Sequence, residues 1–191
     1  MTERTRPAAD DSGLTLVELA VAGAILALVL VAIGAVLVGT LNAQRTVAAV
    51  TQTASSAQAA VSAITDGIRN SSDLHLANPS GSDQLLVTRT AGVGASLTWS
   101  CHAWYYSASA GTIRTTTTTD GTRITAPTGP QLETWTVAVT GVSPVTGTAI
   151  FSTASGGIRI AFRAEVSDGQ PVLIQTTAIT RTGVAGAGTC F

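Results

Sequence analysis

The 191-residue sequence predicts an α+β protein in which one long N-terminal helix packs on a mostly antiparallel β-sheet domain. Three observations carry that reading. No polar side chain interrupts the run from Leu19 to Gly39, which is long enough to cross a bilayer, since about 20 apolar residues suffice. Beyond it, Val47, Val50, Ala54, Ala57, Val61, Ile64 and Ile68 recur at spacings of three and four, a single apolar stripe of helical period. After Asn78-Pro79-Ser80-Gly81-Ser82-Asp83, a loop by composition, the period of apolar residues becomes two.

Residues 1–12 are polar, with Arg4 and Arg6 offset by Glu3, Asp10 and Asp11, and Gly13-Leu14-Thr15-Leu16-Val17-Glu18 follows. A carboxylate at the lip of an apolar segment is expensive. At the centre of a spanning helix an acid costs roughly 2.5–3.5 kcal/mol, so it normally marks a function. Were the chain cut after Gly13, the new amine on Leu14 and the Glu18 carboxylate, four positions on, would share one helix face. An amine–carboxylate pair then becomes feasible, within a subunit or between neighbours. A secretory signal has a shorter apolar core with its small-residue cleavage site behind it, whereas Ala22-Gly23-Ala24 lies inside the run. A simple anchor explains the run but neither the glycine nor the glutamate. Arg4 and Arg6 before the segment, against Arg45 after it, favour a cytoplasmic N-terminus.

The absence of proline between Pro7 and Pro79 and the abundance of alanine predict one helix from Leu14 to Asn70, roughly 85 Å long at 1.5 Å per residue. Its first half is apolar on all sides and suits lipid; its second half needs one covering surface. Gly67 and Asn70-Ser71-Ser72-Asp73 break the pattern. The organisation expected is therefore a leader over 1–13, a membrane half-helix over 14–41, an amphipathic half over 42–72 and a β-rich domain over 73–191. In that domain Leu97, Trp99, Cys101, Ala103 and Tyr105 alternate with Thr98, Ser100, His102, Trp104 and Tyr106. Ile158, Ile160, Phe162, Ala164 and Val166 alternate with Arg159, Ala161, Arg163 and Glu165. Further strands are expected over Gln84–Thr90, Gly111–Thr118, Glu133–Thr140, Thr148–Thr153 and Pro171–Arg181. Turns are expected at Asp120-Gly121, Pro127–Pro130, Ser143-Pro144, Ser155-Gly156-Gly157 and Asp168-Gly169.

The chain has ten arginines, no lysine and eleven acids, for a net charge of −1. That argues against a generally basic nucleic-acid or membrane-surface protein. Its two cysteines, Cys101 and Cys190, read as one disulfide in an exported domain and as two small hydrophobes otherwise. A bridge closing about 90 residues is credited with roughly 4.5 kcal/mol by chain entropy.

The sequence has no phosphate loop, no Cys-x-x-Cys, no zinc-like His/Cys spacing and no Gly-x-Ser-x-Gly elbow. An enzyme is not expected, nor a cofactor or metal. His75 and His102 stand far apart without clustered acids. Asp120-Gly121 and Asp168-Gly169 lack the alternating oxygen ligands of a calcium loop. Arg114 and Arg123 flank the Thr115–Thr119 tract, which keeps a DNA contact open, though no basic patch accompanies them. Trp99, Trp104 and Trp135 read as sheet-packing residues in preference to a ligand platform.

Taken together, the glycine, Leu14-Thr15, Glu18 and the apolar run resemble the class III signal of type IV prepilins and type II secretion pseudopilins. The resemblance implies cleavage after Gly13 by a prepilin peptidase, N-methylation of Leu14, and assembly through Glu18 into a filament. The implied partners are that peptidase, other pilin or pseudopilin subunits, an inner-membrane assembly platform and membrane lipid. Nucleic acid is a partner only if the machine takes up DNA. The implied location is the cytoplasmic membrane, N-terminus inside, and the cell surface after assembly. Trp104-Tyr105-Tyr106 followed by Gly111-Thr112-Ile113-Arg114 is similar to a strand–turn–strand of J-type pseudopilins and W-type minor pilins, as is a closing strand through Ile174, Thr176, Thr177 and Arg181. These imply a pilin-like fold and a minor subunit. Leu14 departs from the family's usual phenylalanine, and Ala35 stands near where many major pilins carry a helix-distorting proline. The alternative is a bitopic, membrane-anchored surface-binding protein that needs neither cleavage nor a role for Glu18.

Overall fold

A computed structural model of the chain describes residues 15–92, 98–167, 169–181 and 189–191. The chain divides into two compact units, Met1–Arg45 and Thr46–Phe191. The architecture is α+β, as the periodicities require.

In the first unit the described residues are almost entirely helix. Helix α1 begins at Leu16, and its large apolar side chains lie open, from Leu16 through Val29 and Val38 to Leu41. Nothing approaches within 4 Å of where a β-carbon would stand on Gly23, Gly34 or Gly39.

In the second unit α1 continues to Arg69 and changes character. Ala57, Ala60, Ile64 and Ile68 are buried and form one face, with Val61 packed beside them. The buried stripe starts later than the sequence pattern suggested: Val47 stays exposed, and Ala60 joins in its place. Gly67, read from sequence as a breaker, lies inside the helix because its missing side chain is what lets the helix settle on the sheet. A β-carbon there would fall on Cη2 of Trp104, which is itself buried. Gly67→Val is therefore expected to destabilise the domain by about 3 kcal/mol, the upper part of the range for overpacking a core. Thermal unfolding of the full chain in detergent measures it, and an unchanged midpoint would remove Trp104 as the constraint.

The helix also ends earlier than the predicted boundary at 72. The Ser71 hydroxyl donates to the Ile68 carbonyl at 2.7 Å, using up one of the helix's last acceptors. The polar run that suggested a break is the start of a strand, β1 (Ser71–Ala77). Its polar residues are accommodated by a bulge between Ser71 and Asp73.

Strands β1, β2 (Gln84–Ala91), β3 (Trp99–Ser107), β4 (Thr112–Thr118) and β5 (Thr136–Thr140) form a five-stranded antiparallel sheet in chain order. Both of its faces are covered. Leu86, Trp104, Tyr106, Ile113 and Val139 pack in one cluster with the helix stripe and the second sheet. Leu85, Val87, Cys101, Ala103 and Tyr105 pack in another with Ile124, Cys190 and the partly buried Leu132, Trp135 and Phe191. This double cover explains why β2 is buried at every position from Gln84 to Thr88.

Between β4 and β5 the chain turns at Asp120 and Gly121, both at positive φ (62° and 68°), a geometry aspartate and glycine tolerate best. It then forms a short helix, α2 (Gly129–Glu133), where the sequence suggested a turn over Pro127–Pro130. Proline at a helix start loses no hydrogen bond, so Pro130 opens this one. The strand expected from Glu133 begins only at Thr136. The second sheet centres on β8 (Gly157–Ala164), paired with β9 (Val172–Ile179) and with β6 (Val142–Pro144) and β7 (Phe151–Ala154). The Ser143-Pro144 turn is thus a short strand, with proline tolerated because it lies at an edge.

One side chain ties the sheets together. Gln84, buried at the start of β2, accepts from the Phe151 N–H at 2.9 Å and donates to the Phe151 carbonyl at 2.8 Å. Its amide copies a strand's backbone and satisfies groups that would otherwise be buried without partners.

Candidate functional site

Glu18 is the residue to which the sequence points first, and its surroundings are simple. Thr15 precedes the helix, and one Glu18 carboxylate oxygen accepts from the Thr15 backbone N–H at 3.0 Å and from the Thr15 hydroxyl at 2.9 Å. The Glu18 N–H in turn donates to the Thr15 hydroxyl oxygen at 3.3 Å. This is a reciprocal capping box, Thr at the cap and Glu three residues on, satisfying donors that a helix start leaves free. The Thr-x-x-Glu spacing is its sequence signature, a local role for Glu18 besides the one its place at the membrane lip suggests. Gly13 and Leu14, the expected processing and methylation positions, lie outside the described residues, as do the leader, Leu97 and Asp168 of the expected turn.

From Leu16 the helix is long and apolar enough to cross a membrane, and none of its most apolar stretch is buried. At the far end of the run the Thr40 hydroxyl donates back to the Val36 carbonyl at 2.6 Å. A polar group is thereby satisfied inside the helix, as an apolar solvent demands.

The two cysteines form a disulfide, Cys101–Cys190, across a sequence separation of 89. Both are fully buried. The Ile124 N–H donates to the Cys190 carbonyl at 3.1 Å, and Phe191 meets the His75 ring at 5.3 Å between centroids. The bridge thus holds residues 189–191 against the second face of the five-stranded sheet.

Arg114 has a structural task that sequence did not suggest. Its Nη1 donates to the carbonyls of Leu132, Glu133 and Trp135 at 3.2, 3.4 and 3.3 Å, neutralising the negative end of α2. The open DNA-contact idea loses this cation to the fold. Arg123 is exposed. His102 lies on the sheet face opposite Cys101, its ring 4.1 Å from Trp104 between centroids and its Nε2 3.0 Å from the Thr115 hydroxyl. Burial lowers its pKa below the ordinary imidazole value. Among the described residues, no three His, Cys, Asp or Glu side chains gather as metal ligands would.

Asp83 organises the far end of β3. It accepts from the Tyr105 hydroxyl at 2.7 Å and from the Ala108 N–H at 2.8 Å. Burial first, then the hydrogen bond to Asp83 and its charge, push the Tyr105 pKa up to about 12. Tyr106 is raised as well, by burial and by the same carboxylate. A raised pKa means the folded state holds its proton more tightly than the unfolded chain. The stabilisation is therefore complete below the phenol's ordinary pKa near 10 and is lost as pH rises through about 12. Stability against denaturant should fall across that interval, and Tyr105→Phe should flatten the fall. An identical alkaline profile in the variant would place the titrating group elsewhere.

No protein-family model matches the chain, and no match is found among the curated proteins or the solved structures.

Proposed function

We propose that the chain is a structural, non-catalytic subunit of a type IV pilus-like or type II secretion pseudopilus filament, a minor subunit resembling the J and W types. It inserts with its N-terminus cytoplasmic, is cleaved by a prepilin peptidase after Gly13 and is methylated on Leu14. An assembly platform then draws it from the bilayer into the filament. Residues 14–41 serve first as the lipid anchor and then as filament core, and Glu18 neutralises the Leu14 amine of a neighbouring subunit. Desolvation makes an unpaired carboxylate there costly, so misaligned neighbours are penalised and axial register is set.

The observation that carries this reading is a single helix of two halves. From Leu16 to Leu41 its large apolar side chains are exposed, with one carboxylate at the lip, and from Ala57 to Ile68 it is built into the core of a β-rich domain. Such a chain has an apolar surface that lipid or copies of the same helix can cover, and a folded domain to present beyond it.

Mass spectrometry of the N-terminus tests it, on protein from membranes and from sheared surface material. A chain beginning at Leu14 with one added methyl group, present in the sheared fraction, supports processing and assembly. An intact Met1 in cells with an active peptidase overturns them. A bitopic surface protein is favoured by one observation only: the Thr15–Glu18 capping box gives Glu18 a partner within its own chain.

A further inference from the structure

On the second face of the five-stranded sheet, a groove of about 260 Å³ runs between β4 and the chain around α2. Thr116, Arg123, Thr125, Gln131 and Trp135 line it. Of the side chains lining it, Thr118 and Thr134 spend their hydroxyls within the fold, on the Thr122 and Gln131 carbonyls at 2.7 Å each. Among the described residues, the Trp135 indole N–H, the Arg123 guanidinium, the Gln131 Nε2 and the Thr116 and Thr125 hydroxyls carry no hydrogen bond. The fold instead engages other atoms of the same residues. Gln131 Oε1 accepts from the Thr128 N–H at 3.0 Å, and the Trp135 carbonyl accepts from Arg114. Trp135 is also held in place, half-buried, with its ring edge-on to Tyr105 at 6.3 Å between centroids.

We propose that this groove binds a carbohydrate, with a pyranose ring stacked on the Trp135 indole and its hydroxyls engaged by Thr116, Arg123 and Gln131. A sugar ring has a flat C–H face and a rim of hydroxyls that donate and accept. A fixed indole offers the matching apolar face with one polar handle, and the surrounding hydroxyl, amide and guanidinium groups match the rim. The volume is near the lower end for small-molecule sites, which start at about 300 Å³, so one ring is held and the rest of a chain extends into solvent. Single-stranded nucleic acid also stacks on aromatic side chains, but it requires a track of cations along the backbone. Among the described residues, Arg123 is the one charged side chain lining this groove, and Arg114 is committed to α2. The charge pattern therefore favours the neutral or weakly acidic ligand.

The groove lies within the second unit, and its binding is independent of cleavage and assembly. The test uses the full, uncleaved chain in detergent, applied to immobilised malto-, cello- and chito-oligosaccharides and to a single-stranded oligothymidylate. At least one oligosaccharide series is expected to retain the protein, and Trp135→Ala is expected to weaken that retention about tenfold, the loss of one good contact. Thr116→Val keeps the side-chain shape on a formed strand and is expected to weaken it about threefold, the smaller effect of one lost hydrogen bond. Circular dichroism and an intact disulfide establish that each variant is folded. Equal retention of the wild type and folded Thr116→Val and Trp135→Ala variants overturns the proposal. So does the absence of retention by every oligosaccharide. Retention by oligothymidylate alone, abolished by salt, reassigns the groove to nucleic acid and overturns it as well.

Discussion

Cys190→Ser is expected to destabilise the exported domain by about 4.5 kcal/mol, the chain-entropy value for a closed loop of this size; the sequence separation is 89. That is a large fraction of the roughly 5–15 kcal/mol that holds a typical domain together. Part of the loss is specific to this fold. Residues 189–191 help cover a sheet face whose interior consists of Leu85, Val87, Ala103 and Tyr105, and freeing them opens that face to water. The check is thermal unfolding of the full chain in detergent, with and without reductant. Reduced wild type should unfold together with the variant, and both should bind a hydrophobic dye below the wild-type transition. A loss under about 1 kcal/mol, the scale of a single hydrogen bond, would mean that packing around Phe191 holds the segment unaided.

Glu18 separates into two roles that a pair of substitutions can tell apart. Glutamine can close a capping box as glutamate does, but it cannot neutralise an amine. If the carboxylate pairs with a neighbour's N-terminus, Glu18→Ala and Glu18→Gln should both reach the membrane and both fail to assemble. Removing one partner of a buried pair costs about 3–5 kcal/mol, so incorporation should fall by roughly a hundredfold to a few thousandfold. The readout is the ratio of sheared to membrane-bound protein. Normal incorporation of Glu18→Gln beside a defective Glu18→Ala would assign the residue to helix capping. Normal incorporation of both would leave Glu18 without a part in assembly.

The elements that sequence made legible are those whose burial is one-sided or continuous. The alternation around Ile158 to Ala164 is β8, and the alternation through Cys101, Ala103 and Tyr105 is β3, whose other face is buried at Trp104 and Tyr106 and partly buried at Ser100 and His102. The cysteine pairing was also legible, because two cysteines allow one intramolecular bridge. What escaped were features decided by contact with something distant. Gly67 carries no sign in sequence that Trp104 will rest against it. Ser71-Ser72-Asp73 has turn composition, and only pairing with β2 makes it a strand. Val142–Pro144 is too short to show a period. Around Glu18, by contrast, the signal was present: Thr15 stands three residues before it, and the capping box could have been read directly. The groove beside Trp135 had no such signal, because β4 and α2 meet there only in the folded domain.

Strand β3 has a consequence for how the protein is made. Trp104 on one of its faces receives Gly67 of the helix, while Cys101 on the other receives Cys190. A ribosome delivers those two partners at widely separated times. Until Cys190 has emerged, the apolar face that carries Leu85 and Val87 has only Ile124, Leu132 and Trp135 over it, and the nascent domain cannot close it fully. Chains with exposed apolar surface and unpaired strand edges aggregate. A truncation before Cys190 would thus yield a species with exposed apolar surface that is prone to self-association.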